Sequence, residues 1–376
     1  MVGALLGGVI FAFIVAYLIV RCRSTLGHLG QDAPKAGPQK FHQEPTPRIG
    51  GVPVIAGILA SVALISAHNP SVAEVIGVAL VCALLAFAGG LCEDLTGRLG
   101  PRLRLILTFV SAALGFLLMD ARITELDIPG IDAVLQITAF SFVFTLFAVG
   151  GFAHAMNIVD GFNGLVGVVS LIFLGAIGYV SWTAGDDALM WSVLLVAAPM
   201  LGFLALNFPK GLVFLGDGGA YLIGFLIAEF AVLLVHRNSE VSPWFALMLL
   251  GYPIVETIFS IYRKRVLRRL SPGQPDGLHL HMLIHKRLVR RYGSQQKWAN
   301  AGTSPYLWAL ALLGAIPAAI FWDDSAVLQI LAVCFVLSYV WLYWRIVRFR
   351  APRLLVARQW RIVDSESEAL PDAKLD

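Results

Sequence analysis

Asn157 to Leu165 reads N-I-V-D-G-F-N-G-L, a carboxylate and two carboxamides set between apolar runs at 131–151 and 166–182. Polar side chains at the edge of such runs are costly unless they meet water or protein, and they mark a functional site by default. Gly161 and Gly164 allow the backbone to turn there and to approach a ligand closely.

Four other segments carry polar residues that could join it. P-T-P-R-I-G-G (45–51) puts Arg48 just before a glycine pair, either as an anion ligand or as an ordinary basic residue ahead of a helix start. G-G-L-C-E-D-L-T-G-R-L-G-P-R-L-R (89–104) ends an apolar run on Glu93 and Asp94. Acids at a helix C-terminus oppose the helix dipole, so stability does not explain them. Adjacent carboxylates suit a metal–phosphate site or a general base; the bland alternative is solvated acids paired with Arg98, Arg102 and Arg104. The segment from Asn207, N-F-P-K-G-L-V-F-L-G-D-G-G, places Asp217 among glycines at the start of another apolar run. A carboxylate there can cap the helix or hold a magnesium ion whose shell is completed by substrate phosphates. His279, His281 and His285 lie close together after a Pro- and Gly-rich stretch. Residues at i and i+2 do not share a helix face, which favours phosphate binding over a zinc site. A solvated basic amphipathic segment explains the neighbouring arginines but not the H-L-H.

The chain around these segments is 58% apolar and 14% charged over 376 residues, the composition of a polytopic membrane protein. A span needs roughly 20 apolar residues. Eleven candidates emerge, at about 2–20, 52–67, 72–91, 103–119, 133–153, 164–182, 188–206, 218–235, 243–262, 304–322 and 326–344. The second is weakened by a proline and a glycine within it and a glycine pair just before it. The first has no charge before Arg21 and is expected to remain as a span. Of the 28 lysines and arginines, all but Arg122 and Arg237 fall on one side of this arrangement. Basic excess marks the cytoplasmic side, so the N-terminus is expected outside and the C-terminus inside. The five polar segments then face the cytoplasm, and the outer loops are short and plain. The expected architecture is all-α: a membrane-embedded bundle over 1–345, with an inner loop at 263–303, and a cytoplasmic tail over 346–376. The net charge of +4 is mostly orientation and does not call for nucleic acid. The four cysteines include no C-x-x-C pair, and neither a disulfide nor a zinc site is expected.

Together and in this order, P-T-P-R-I-G-G, the acidic pair with its arginines, N-x-x-D-G-x-N-G-L, G-D-G-G and H-L-H resemble the polyprenyl-phosphate N-acetylhexosamine-1-phosphate transferases (WecA-like, glycosyltransferase family 4). The resemblance covers about Glu44 to Leu288 and includes the eleven-span topology. It implies transfer of an N-acetylhexosamine-1-phosphate, with GlcNAc-1-phosphate the leading case, from a UDP-sugar to undecaprenyl phosphate. UMP is released, and O-antigen or another cell-surface polysaccharide is initiated at a bacterial inner membrane. It implies magnesium, with manganese as a substitute. By motif position, Asp217 is a metal ligand and Asn163 sits near the metal. Asn157 and Asp160 face nucleotide or metal, and His279 and His281 contact the diphosphate. Arg98 and Arg102 hold the lipid phosphate. Arg48 and Asn207 join the substrate-binding set; Asp94, Glu93 and Asp160 form the catalytic set. The resemblance allows a homodimer, on which the residues are silent. This chain departs from the family at Glu93, where Asp is usual, and at Met282, where a further His is common.

Two other readings stay open. A transporter of a phosphorylated or nucleotide-linked solute would place polar groups near the midplane and show repeated halves with interrupted helices. An inactive scaffold of the same fold would explain Glu93.

Overall fold

The computed structural model describes residues 1–23, 31–32, 45–269, 271, 277–289 and 300–348. The expected cytoplasmic tail beyond Arg348, the prolines at 34 and 38 and much of the 263–303 loop lie outside the described residues. The chain is a helical bundle of α1 (Val2–Arg21), α2 (Gly51–Ile65), α3 (Pro70–Thr96), α4 (Pro101–Leu118), α5 (Ile131–Leu135), α6 (Thr138–Val159), α7 (Leu165–Thr183), α8 (Asp187–Asn207), α9 (Gly216–Arg237), α10 (Pro243–Leu249), α11 (Gly251–Tyr262), α12 (Leu280–Ile284), α13 (Ser304–Ile320) and α14 (Ser325–Val347). The only extended pairing among the described residues joins Gln31–Asp32 to Thr46–Pro47, antiparallel.

Nine of these helices are long and apolar enough to cross a membrane, and ten if α10 and the helix after it form one span. The protein is a multi-pass membrane protein. Each of the eleven expected spans has its helix, but three differ from expectation. At 15 residues, α2 rises only about 22 Å, short of the roughly 30 Å hydrocarbon core. The ninth is bent by 69° at Leu250; Pro253, just inside α11, has no N–H to carry the hydrogen-bond ladder across the break. The fifth begins at Thr138 because Ile131–Leu135 forms a separate turn, so it runs on to Val159 and puts Asn157 in its last turn.

α9 is the central post: apart from His236 and Arg237 at its end, almost every residue is buried, as expected for a helix apolar on all sides. α3 and α6 pack along it, α4 bridges those two, and α1, α2, α7 and α8 close one flank. Hydrophobic collapse cannot drive helices together in lipid, so close packing of small residues matters. At Gly90 of α3 a Cβ would lie 2.5 Å from the Gly218 backbone nitrogen, so any larger residue would push α3 off the start of α9. At the other end of the bundle Arg122 pairs with Asp120 and Arg237 with Asp186. Asp132 accepts the Leu126 and Ile128 N–H groups, giving the 120–132 loop a defined shape.

Candidate functional site

The site forms where α3, α6 and α9 meet at one end of the bundle. Asp94, in the last turn of α3, accepts the backbone N–H of Asp217 (3.0 Å) and of Gly218 (2.9 Å). The acid that opposes its own helix dipole thus caps the N-terminus of α9, where unsatisfied N–H groups favour negative charge. Both oxygens are engaged and the side chain is 1% exposed. That geometry suits a positioning group better than the general base expected of Asp94. Glu93 takes no part in the cap: its side chain forms no hydrogen bond or ion pair with the described residues, and its Oε2 is buried unpartnered.

Arg48 reaches the site because its own backbone is stitched to the α9 approach. Gly50 and Gly51 N–H groups donate to Phe214 and Leu215 carbonyls (both 2.9 Å), and Phe214 N–H donates to Pro47. Gly216 then turns the chain at φ +76°, a conformation glycine adopts without strain, in a space where a Cβ would strike the Arg48 carbonyl. Arg48 Nη2 donates to Asp217 Oδ1 at 3.0 Å and lies 3.5 Å from Asp94 Oδ1. The other oxygen of Asp217 is held by Arg104 Nη1. Arg104, not Arg98 or Arg102, is the arginine of its loop that enters the site; the other two are exposed and make no ion pair among the described residues.

Asp160 follows the last residue of α6 and is partly buried. Its side chain forms no hydrogen bond or ion pair with the described residues, yet it feels the charges of Arg48, Asp217 and Asp94. Burial pushes its carboxyl up to about 7, with Arg48 pulling the other way. With all three carboxylates ionised against two guanidiniums, the pit carries one net negative charge. Asn157, one turn earlier, bonds the Tyr221 side chain on α9. The Tyr221 ring lies 4.7 Å from that of His154, whose Nε2 is 3.1 Å from Thr108 Oγ1. None of Arg104, His154 or Tyr221 was among the expected site residues.

The rest of the organising stretch is a fastened turn. Asn207 accepts the Gly164 N–H (2.6 Å) and donates to Val213 O (2.7 Å). Asn163 donates to Pro209 O (3.0 Å), and its backbone is held by Asn300 and Ser304. Both amides hold backbone, and the substrate contact expected of Asn207 and the metal contact expected of Asn163 are not what these bonds serve.

The histidine segment meets this turn from the far side. His281 Nε2 would lie 3.2 Å from a Cβ at Gly161, and its ring sits edge-on to Phe162 at 5.7 Å. His281 has no exposed surface, and neither ring nitrogen has a hydrogen-bond partner among the described residues. Burial first, then neighbouring His279, lowers its pKa to about 3. His279 stacks on it at 5.4 Å and bonds Glu256 through Nδ1 at 2.9 Å.

Residues 76–235 match glycosyl transferase family 4, a stretch that contains Asp94, Arg104, Asp160 and Asp217. Over 256 residues the chain is 30% identical to the undecaprenyl-phosphate alpha-N-acetylglucosaminyl 1-phosphate transferase of Escherichia coli (strain K12), covering 65% of this chain and 67% of that one. The enzyme of the same name from Yersinia pestis is 28% identical over 357 residues, or 90% of this chain and 92% of its own. A probable undecaprenyl-phosphate N-acetylglucosaminyl 1-phosphate transferase of Bacillus subtilis (strain 168) is 25% identical across 73% of this chain and 76% of that one. The chain belongs to glycosyl transferase family 4.

Proposed function

We propose that the protein transfers GlcNAc-1-phosphate from UDP-GlcNAc to undecaprenyl phosphate, releasing UMP, on the cytoplasmic side of a bacterial inner membrane. The product would start O-antigen or another surface polysaccharide. The observation that carries this is the gathering of Arg48, Asp94, Arg104, Asp160 and Asp217 at one end of an apolar bundle, in a chain whose relatives bear that activity in their names. The inner-face orientation rests on the one-sided lysines and arginines.

Magnesium fits the residues present. Among the described residues no three His, Cys, Asp or Glu side chains form a cation cage alone, but magnesium usually takes one or two protein carboxylates and fills its shell with water and substrate phosphates. Asp160 offers a carboxylate with no donor, beside Asp217, in a pit one positive charge short of neutral when its acids are ionised. These two residues would hold the ion, which would offset charge on the diphosphate. The phosphate oxygen of the lipid attacks the sugar-linked phosphorus, and the bond from that phosphorus to the bridging oxygen breaks, leaving UMP. Both partners are anions, so the protein's share is positioning and neutralisation. Arg48 and Arg104 supply fixed positive charge, Asp94 holds the N-terminus of α9 under the phosphates, and Asn157 with Tyr221 lines the nucleotide side. An apolar cavity of about 470 Å³ between α6, α9 and the bent pair, walled by Phe144, Phe147, Phe152, Leu250 and Ile254, has the chemistry to take part of an isoprenoid tail. The bend between α10 and α11 and the buried, unpartnered carboxylate of Glu229 within α9 are what a transporter reading would claim, but the arginines and the acids they face gather at the bundle's end.

The test is purified protein with magnesium, undecaprenyl phosphate and a panel of UDP-N-acetylhexosamines. UMP release with UDP-GlcNAc is expected; silence with every donor would reject the reading. Within that assay the arginines separate. Arg104→Ala should cost about 30-fold or more, since truncating one partner of a hydrogen-bonded charge pair costs roughly 2–5 kcal/mol. Arg98→Ala and Arg102→Ala, as exposed unpaired residues, should stay within about threefold of wild type.

A further inference from the structure

Glu256 is fully buried in α11, outside the stretch that matches the family, and carries out none of the roles described above. Its Oε1 accepts from His279 Nδ1 at 2.9 Å and its Oε2 accepts from Tyr339 Oη at 2.6 Å. The Leu280 N–H lies 3.3 and 3.2 Å from the two oxygens. We infer that Glu256, backed by Tyr339, is a positioning residue for the transfer reaction: it fixes the ring of His279 so that Nε2 faces the substrate phosphates. This rests on the transferase reading of the pit.

Three observations separate this from a merely structural contact. A carboxylate bonded to Nδ1 decides which ring nitrogen is left over, the device by which outer groups orient catalytic and metal-bound histidines. Here Nδ1 is the bonded atom, and Nε2 has no protein partner among the described residues. Secondly, the histidine segment is also held by contacts that do not involve Glu256. Tyr343 Oη donates to Leu278 O (3.1 Å), Arg287 Nη1 donates to Ile346 O (2.5 Å), and His285 Nδ1 lies 2.9 Å from Thr303 Oγ1. Thirdly, a buried carboxylate is a costly structural fastener, because well-packed apolar residues commonly do as well or better. A carboxylate with all its acceptors aimed at one ring, one hydroxyl and one N–H is expected where charge and orientation matter. The geometry also gives α14 a task beyond lining the bundle. Tyr339 holds Glu256, while Tyr343 and the end of α14 hold the segment on either side of His279 and His281.

The experiment is a double-mutant cycle on the full-length protein in nanodiscs, with thermal stability and ¹⁵N-histidine spectra taken on the same samples without substrate. Glu256→Gln keeps the shape and removes the charge. It should keep Tm near wild type and shift the His279 Nδ1 signal. It should lower kcat by about 10- to 100-fold, the range for partners that orient a functional side chain, with KM for the UDP-sugar nearly unchanged. Glu256→Asp should recover part of the loss. If Glu256 acts through His279, Glu256→Gln with His279→Gln is no slower than His279→Gln alone. Multiplying losses, or a Glu256→Gln enzyme with wild-type kcat, would overturn the inference. Should Glu256→Gln fail to fold, Tyr339→Phe leaves the charge and removes one bond; a several-fold kcat loss that vanishes in the His279→Gln background supports the inference, and an additive one overturns it. If the wild-type protein turns over no UDP-sugar, it is the transferase reading that fails. The spectra then decide the Glu256–His279 bond alone, and an unshifted Nδ1 signal in Glu256→Gln rejects it.

Discussion

Asp217→Asn is expected to reduce UMP release by about 10²- to 10³-fold, the loss seen when one preorganised electrostatic group is removed from an active site. Asp217 is 7% exposed and each of its oxygens answers a different arginine. An amide can accept a hydrogen bond from one of them but cannot neutralise either. Arg48 and Arg104 would then face each other across the start of α9 with only Asp94 between them. Breaking a buried pair from one side costs about 3–5 kcal/mol; because the Arg48 side chain is 37% exposed, solvent screening brings its share nearer the surface value of about 0–1 kcal/mol. Tm in detergent should therefore fall by a few degrees while the activity all but disappears. Wild-type turnover by Asp217→Asn would remove this residue from the site.

Asp160→Asn should behave in the opposite way on stability. Its carboxylate has no partner and lies within reach of two other acids, so removing its charge relieves repulsion. A folded-state carboxyl raised to about 7 contributes stability below its unfolded value, and that contribution is lost as pH rises through about 7. Wild-type Tm should accordingly sag as pH climbs from about 4 to about 7 without added cation and level off above that, and Asp160→Asn should lack this sag. Adding magnesium should reverse the order, since the ion stabilises the form that binds it. Turnover should fall by about 100-fold. An Asp160→Asn protein less stable than wild type at pH 8 without metal would show that the carboxylate is paired after all.

Much of this was legible in the residues. Long apolar runs announced the helices, and the five polar segments announced the site. What stayed hidden was helix phase. Arg102 and Arg104 are two residues apart in α4, so at 3.6 residues per turn they point to nearly opposite sides and only one can meet α9. Pro101 after Gly100 marks where that helix begins and was the available signal. Glu93 and Asp94 divide in the same way. Only Asp94 reaches the α9 N-terminus, so the extra methylene at Glu93 does not disturb the cap. The α2 and fifth-span boundaries shifted because apolar content measures length poorly where a turn or a close backbone approach intervenes. Pairings such as Glu256 with His279 leave no periodic trace, because a contact between residues 23 positions apart is set by packing alone. The enclosure of His281 left no mark in the sequence, because spacing says nothing of burial. The backbone bonds of Asn207 and Asn163 left none either, because an amide bonded to backbone reads the same as one facing substrate.

The central claim is that polar segments far apart in the chain build one pit that takes a single divalent cation between Asp160 and Asp217. Electron paramagnetic resonance of Mn²⁺ titrated into the purified protein with UDP-GlcNAc measures this directly. One bound ion per chain is predicted, tightened by the nucleotide sugar and lost in both Asp160→Asn and Asp217→Asn. Unchanged Mn²⁺ binding in the two variants would contradict the account.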